Sequence, residues 1–269
     1  MHPPLAGVRY EPQGKDAFRF RIAGARQSPM TSYRRALYEQ YLSHRNGVAG
    51  TGHEEQCRHQ ARYLARLLRR YLPHQRNIPC LDLGCGGGNF LYFLRCQGFL
   101  DLQGVDVSQE QVALARGLGL PVTQVDVFEF LQACGRTYGL ISALDLLEHL
   151  HKEELVELVG LIRERLDPGG IFLGRTPNGG SPLGAGVCFG DFTHETILTP
   201  ESLRQVLRQG GFKEIRCFEQ RPLPLGPVST LRSALWAAIR LLHKFQAGAE
   251  GGGFGPEILT RVFWWAAAT

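Results

Sequence analysis

Apolar residues along the chain alternate between short continuous runs and longer stretches with helical spacing. The short runs read as buried strands and lie at 80–83, 102–107, 122–125, 140–144, 171–175 and 213–218. Helical patterns fill the intervals, several of them opening on Ser or Thr or on a turn rich in glycine. Strands that alternate with helices through short loops predict an α/β fold with a mainly parallel sheet covered by helices on both faces.

Two helical patterns precede this alternation. Residues 31–45 and 54–72 carry apolar residues at helical spacing, with most arginines of the second segment off its apolar stripe. They predict an N-terminal helical layer that caps the site at the strand ends. Residues 1–30 contain four prolines and predict an irregular arm.

The C-terminal part breaks the alternation. Residues 228–245 form one more helical stripe, 248–255 predict a flexible glycine-rich stretch, and 258–268 predict a last strand. The pattern divides the chain into a basic arm with a helical cap (1–76), a core (77–220), a helical insertion or lid (221–257) and the last strand of the core (258–269).

The distribution of charge and the cysteine content bear on the binding partners and the cellular compartment of the protein. Residues 1–72 hold 13 of the 30 Lys and Arg residues but only 5 of the 25 Asp and Glu residues. This basic segment predicts attraction to a polyanion, an anionic lipid surface or a phosphorylated substrate, unless it is only a solvated helix face. The seven cysteines include no Cys-x-x-Cys pair, and the sequence shows no secretory leader. It also has no apolar run of the ~20 residues that span a bilayer. Together these observations predict a cytoplasmic protein.

The stretch 80–89 is a buried strand, a glycine-rich turn and the start of a helix, so its backbone amides can approach a ligand closely. Dinucleotides, P-loop phosphates and S-adenosylmethionine all use such turns. Asn89 occupies the position at which a P-loop has a lysine and a dinucleotide-binding turn has its third glycine. Both of these classes are therefore disfavoured. Asp82 inside the strand would repel a pyrophosphate but suits a ligand with an ammonium and a sulfonium. Asp106, which ends the second strand, suits a ribose in either class. The residues favour S-adenosylmethionine.

Five segments in order resemble the motifs of class I S-adenosylmethionine-dependent methyltransferases. They are 81–88, 104–108, 125–128, 138–150 and 166–170, and the likeness covers about 78–220. The resemblance implies a Rossmann-like sheet of seven strands with an antiparallel last strand. It implies that Gly84 and Gly86 approach the methionine moiety, that Asp106 holds the ribose, and that Asp126 reads the adenine amino group. Capping of the next loop is the alternative role for Asp126. The implied cofactor-binding set is Asp82, Gly84, Cys85, Gly86, Asn89, Asp106, Val107, Asp126, Val127 and Leu144.

A closer likeness is to O-methyltransferases of bacterial polysaccharide and secondary-metabolite pathways. The segments that carry it are 37–43, 175–182, 190–195 and 198–203. This likeness implies methyl transfer to a hydroxyl of a small molecule or sugar, including acceptors that carry an anionic or lipid group.

A hydroxyl acceptor has to lose its proton to a base or have its pKa lowered by a metal. Candidate groups follow the fourth and fifth strands. We hypothesise that His194 or His149 is the base and that Asp145 or Asp191 orients it.

A metal is the alternative means of activation. Asp145, Glu148, His149 and His194 resemble the Glu-x-x-Glu-His…His set that binds a divalent ion in small-RNA 2′-O-methyltransferases, although Asp145 replaces the first Glu. A metal-assisted RNA methyltransferase is therefore a second hypothesis, weakened because no platform for stacking single-stranded bases is recognisable. A third is a cofactor-binding module without catalysis, which the intact glycines, acids and histidines oppose.

The insertion 221–257 also has two interpretations. Its apolar stripe can pack over the acceptor pocket as a lid. Alternatively, the segment 228–246 docks on an anionic membrane surface.

Overall fold

The computed structural model describes residues 32–39, 52–251 and 258–269. The strands are β1 Cys80–Leu83, β2 Leu102–Asp106, β3 Val122–Gln124, β4 Tyr138–Leu144, β5 Leu166–Pro177, β6 Glu214–Glu219 and β7 Val262–Ala268. They form one sheet in the order β3-β2-β1-β4-β5-β7-β6. β7 runs antiparallel to both β5 and β6, and the other neighbours pair in parallel. The predicted fold class and the antiparallel last strand are confirmed.

The helices are α1 Ser32–Glu39, α2 His53–Leu67, α3 Asn89–Cys96, α4 Gln109–Gly117, α5 Val127–Ala133, α6 Lys152–Arg165, α7 Ala185–Cys188, α8 Pro200–Gln209 and α9 Pro227–Gly251. Their starts follow local chemistry. Ser108 caps α4 through the backbone amide of Gln111, and Thr199 caps α8 with Pro200 at its first position.

Every residue of β1 is buried, because helices cover both faces of the sheet. Two apolar clusters form the core. One contains the buried faces of α6 and α8 packed on the sheet, and the other joins α2 and α3 to the opposite face. The sheet therefore has a dry interior and presents the ends of its strands to ligands.

Several predicted boundaries are wrong. β5 spans 166–177 instead of 171–175, because Leu166 already pairs with Tyr138 ahead of a bulge in the ladder. β7 begins at Val262 instead of residue 258, and α2 ends at Leu67 instead of 72.

The predicted flexible stretch 248–255 is also partly wrong, since residues up to Gly251 belong to α9. The expectations for residues 1–31, 40–51 and 252–257 lie outside the described residues.

The N-terminal helices contact the ends of the strands. In α2, His53 Nε2 lies 2.8 Å from the carbonyl oxygen of Gly87. In α1, the buried guanidinium of Arg34 donates to the carbonyl oxygen of His149 at 2.7 Å and pairs with Glu154 at 3.0 Å. The two helices thus lie over different parts of one sheet edge.

Helix α9 lies against the body through few contacts, and none of its residues is buried among the described part of the chain. No described helix combines the length and apolar character that crossing a membrane requires.

Candidate active site

The turn after β1 forms the first part of the site. Gly84 and Gly86 have φ angles of 61° and 53°, a left-handed conformation that residues with a Cβ rarely adopt. The amide of Gly86 donates to Asp106 Oδ2 at 2.8 Å, and the amide of Ser108 donates to Asp106 Oδ1 at 2.8 Å. The carboxylate that ends β2 therefore fixes the turn that follows β1. Burial raises the pKa of Asp106 above its usual value.

A second carboxyl group lies beneath this turn. Asp82 is buried within β1, and Ser142 Oγ of β4 donates to its Oδ1 at 2.6 Å. Burial raises the pKa of Asp82 to about 7, and the nearby charge of Asp106 adds to this effect.

The charge of Asp82 and Asp106 indicates which class of cofactor this turn can bind. Neighbouring carboxylates oppose a pyrophosphate and stabilise a ligand that carries positive charge. The left-handed glycines leave backbone amides open to close approach. The turn therefore fits S-adenosylmethionine, which carries a sulfonium and an ammonium group, better than it fits a dinucleotide.

Two other members of the predicted cofactor set, Asp126 and Asn89, form hydrogen bonds within the protein. Asp126 Oδ1 accepts from the amide of Phe128 at 2.8 Å and caps α5, so the capping role weighed for it is present. Its contact with adenine stays a prediction. Asn89 donates to Gln60 of α2 at 2.9 Å. That bond ties the glycine turn to the N-terminal layer.

The remaining members differ in exposure. Val127 and Cys85 are buried in the core, whereas Val107 and Leu144 are half-buried near the ends of β2 and β4. Their contact with a cofactor stays a prediction.

The acceptor part of the site begins directly after β4. Asp145 has a φ of 52°, so the chain bends sharply there into a 3₁₀ turn, Leu147–His149. Arg175 of β5 pairs with the Asp145 carboxylate, its Nε lying 3.0 Å from Oδ1. Asp145 is thus engaged with a cation, and an orienting role for Asp145 or Asp191 stays a prediction.

A hydrogen-bond chain fixes His149. The hydroxyl of Thr193 donates to Asp191 Oδ1 at 2.6 Å, and the same hydroxyl lies 2.9 Å from His149 Nδ1. Because the Thr193 proton is directed to Asp191, His149 Nδ1 acts as donor and its Nε2 carries the lone pair. Burial, aided by the neighbouring His194, lowers the pKa of His149 to about 4.

His194 has the same tautomer for a different reason. Its Nδ1 lies 2.9 Å from the carbonyl oxygen of Cys188, which only accepts, so Nε2 again carries the lone pair. The rings of His149 and His194 approach edge to face, with centroids 4.8 Å apart.

Glu148 completes the cluster. Its Oε2 accepts from Thr176 Oγ1 at 3.0 Å, while its buried Oε1 has no hydrogen-bond partner among the described residues. Burial and the charge of Asp145 raise the pKa of the Glu148 carboxyl well above its usual value. Glu148, His149 and His194 each offer one ligand atom, and these atoms lie within 4.8 Å of one another. Of the four residues in the predicted metal set, three come together.

Sequence reasoning did not single out Arg34, Arg175, Thr176 or Thr193. Three of them lie inside segments that carried the resemblance, 175–182 and 190–195. Arg34 had no local pattern, because its partners are more than a hundred residues away along the chain.

The glycine turn, the acids of β1 and β2, and the doubly wound sheet form a site of the kind that binds a nucleoside-derived cofactor. Residues 57–216 match a family described as a methyltransferase domain. The chain belongs to this family of methyltransferase domains.

The individual proteins that resemble this chain share a low sequence identity with it. The ubiquinone biosynthesis O-methyltransferase of Paramagnetospirillum magneticum is 31% identical over 106 residues, which cover 38% of this chain and 41% of that protein. The chain thus matches about two-fifths of the length of this curated relative.

Solved structures share the fold. A methyltransferase from Archaeoglobus fulgidus has a TM-score of 0.59 and 24% identity, covering 80% of this chain and 97% of that one. The phosphoethanolamine N-methyltransferase 2 of Haemonchus contortus has a TM-score of 0.56 and 16% identity, covering 86% and 60%.

Proposed function

We propose that the protein transfers the methyl group of S-adenosylmethionine to a hydroxyl oxygen of a small-molecule or sugar acceptor. The observation that carries the proposal is the histidine pair at the carboxyl ends of β4 and β5. His149 and His194 lie 4.8 Å apart between ring centroids, and hydrogen bonds at both Nδ1 atoms leave the lone pairs on Nε2. Such nitrogens can accept the proton of a hydroxyl group.

When bound, the cofactor supplies an electrophilic methyl group on a sulfonium. The chain has to hold the acceptor oxygen in line with that methyl and exclude water. The turn after β1, with Asp82 beneath it and Asp106 beside it, binds the cofactor at one side, and the histidine pair receives the acceptor at the other. His194 is half-buried and is the proposed base. His149, neutral because burial lowers its pKa to about 4, positions the acceptor and is held by Thr193.

An oxygen acceptor is also supported by the relative from Paramagnetospirillum magneticum, whose name specifies O-methylation. The N-methyltransferase with a similar fold shares 16% identity and carries no weight for the acceptor.

Replacement of His194 tests the base. With an acceptor identified from a pool of hydroxylated compounds by methyl release, His194→Ala is expected to lower kcat by about 100-fold or more. Calorimetric affinity for S-adenosylhomocysteine should stay within the error of the native protein. Unchanged turnover in His194→Ala and in His149→Ala would contradict a histidine base. Failure of every hydroxylated acceptor, with methylation of an amine instead, would contradict the oxygen acceptor.

A divalent cation is a second candidate for activating the acceptor. It is favoured by Glu148 Oε1, a buried oxygen without a partner in the described part of the chain, near two imidazole nitrogens. One carboxylate and two imidazoles suit Mn²⁺, Fe²⁺ or Zn²⁺ and leave coordination positions for an acceptor oxygen.

Chelation separates the two candidates. Full activity after extensive dialysis against a chelator, with no heat of Mn²⁺ or Zn²⁺ binding, would exclude the cation. Loss of activity that Mn²⁺ restores in the native protein, but not in Glu148→Gln, would favour it over the histidine base.

A further inference from the structure

Helix α9 is attached to the body by its polar side. Trp236 Nε1 and Arg240 Nη1 donate to Oε2 of the buried Glu219 at 3.3 and 3.1 Å. Ser233 Oγ donates to the carbonyl oxygen of Pro222 at 3.0 Å. These three side chains share one face of the helix, since successive residues turn by roughly 100°.

The opposite face of α9 is apolar and exposed. Val228, Leu231, Leu235, Ile239 and Leu242 fall within an arc of roughly 80° on this wheel. Between 42% and 68% of each of these five side chains is exposed. In an ordinary surface helix the apolar stripe faces the core, so the orientation of α9 is inverted. A contiguous apolar surface of this kind marks a contact site.

The charge around this face indicates what covers it. Residues 220–249 contain no Asp or Glu, but they include Arg221, Arg232, Arg240 and Lys244. Arg232 is exposed and lies next to the apolar arc, whereas Lys244 lies on the opposite side of the helix. Two such helices paired through this face would lack the acidic partners that flank paired helices. An anionic surface is complementary to both the apolar stripe and the neighbouring Arg232.

The position of α9 also fits a flat surface. β6 runs parallel to β5, because both pair antiparallel with β7. Glu219, the anchor of α9, ends β6 at the same sheet edge at which β1, β4 and β5 end. Helix α9 is therefore attached at the edge that carries the candidate active site.

We propose that the outward face of α9, defined by Val228, Leu231, Leu235, Ile239 and Leu242, lies in the interface of an anionic lipid bilayer. The apolar side chains enter the boundary between headgroups and acyl chains, and Arg232 at the border of this face contacts the headgroups. The acceptor site at the same edge is then held close to the membrane surface. The proposal does not depend on the identity of the acceptor.

Co-sedimentation of the full chain with vesicles tests this proposal. We expect binding to vesicles of equal parts phosphatidylglycerol and phosphatidylcholine and weaker binding to phosphatidylcholine alone. Leu235→Gln/Leu242→Gln should lower the partition coefficient by about tenfold or more. The matched control is Leu100→Gln/Leu183→Gln, which alters two leucines that are 86% and 71% exposed elsewhere. It should bind as the native protein does.

The cation at the border of this face is tested separately. Arg232→Gln should weaken binding to the anionic vesicles by about fivefold, with little effect on binding to phosphatidylcholine. Lys244→Gln, on the opposite side of the helix, should bind as the native protein does. Circular dichroism melts of all variants should match the native protein, because every changed side chain is exposed.

Three outcomes would overturn the proposal. The native protein remains in the supernatant with anionic vesicles. Alternatively, light scattering shows a dimer that Leu235→Gln/Leu242→Gln dissociates, in which case a second copy covers the face. Finally, binding appears only after removal of residues 1–31, in which case the chain's own N-terminal segment covers it.

Discussion

The cofactor part and the acceptor part of the site occupy one sheet edge but are stabilised differently. In the cofactor part, the acids are satisfied by groups at or just beyond the strand ends: Ser142 of β4 bonds Asp82, and the backbone amides of Gly86 and Ser108 bond Asp106. In the acceptor part, Glu148 keeps a buried oxygen without a partner among the described residues, and the histidines depend on a loop between β5 and α8.

The two parts of the site therefore differ in how freely they can change. The cofactor turn is rigid, because its bonds join the residues that follow two neighbouring strands. An acceptor cluster assembled from the turn after β4, the loop around Thr193 and helix α1 can vary without disturbing that sheet. Changes in the first part should therefore alter cofactor affinity, and changes in the second should alter turnover.

The largest expected effect is at Asp106. Asp106→Ala leaves the amides of Gly86 and Ser108 without their acceptor and removes the proposed ribose contact. Affinity for S-adenosylhomocysteine should fall by about 100-fold or more, measured by calorimetry. Glu148→Gln, an isosteric change in the acceptor part, should leave that affinity within about threefold. Equal losses in both variants would show that the two parts are not separable.

An intermediate effect concerns pH and Asp82. The pKa of this carboxyl is about 7 in the folded protein against 3.8 for an unperturbed group. Its protonated form therefore stabilises the fold fully below pH 4, and this contribution is lost as the pH rises through 7. A cationic cofactor favours the ionised form instead. Affinity for S-adenosylmethionine should rise with pH by up to about tenfold per unit below 7 and then level off.

Asp82→Asn provides the control for this pH dependence. Its affinity for S-adenosylmethionine should be weaker and flat between pH 5 and about 8, since no proton is exchanged at this position. Calorimetry in buffers of different ionisation enthalpy would report the released proton directly. A slope that persists in Asp82→Asn would assign the titration to another group.

The smallest effect is expected at Thr193. Thr193→Val removes the hydroxyl between Asp191 and His149, so the imidazole loses its orientation and kcat should fall by roughly fivefold. Affinity for S-adenosylhomocysteine should not change.

Thr196→Val is the matched variant in the same loop. Thr196 is also buried, and its hydroxyl donates to the carbonyl oxygen of Leu150 at 2.6 Å and not to an imidazole nitrogen. Similar losses of stability but a loss of turnover only in Thr193→Val would establish the orienting role. A loss of turnover in both would indicate a general effect on the loop.

The sheet and the glycine turn were predictable because their determinants are local. Runs of apolar residues give the strands, and the left-handed positions at 84 and 86 require the glycines that the sequence shows there. The pairing of Asp145 with Arg175 and the burial of Arg34 could not be predicted, since each depends on segments brought together only by the fold. The orientation of α9 could not be predicted either. The helical periodicity reveals its apolar stripe, but it does not show whether that stripe faces the core or the outside.

The position of β7 has a consequence for synthesis of the protein. This strand lies between β5 and β6, yet its residues 262–268 leave the ribosome after both. Until then, β5 and β6 have unpaired edges that can capture strands of other chains. Completion of this sheet therefore waits for residue 268, and a nascent chain stalled earlier should need chaperone protection along a gap one strand wide.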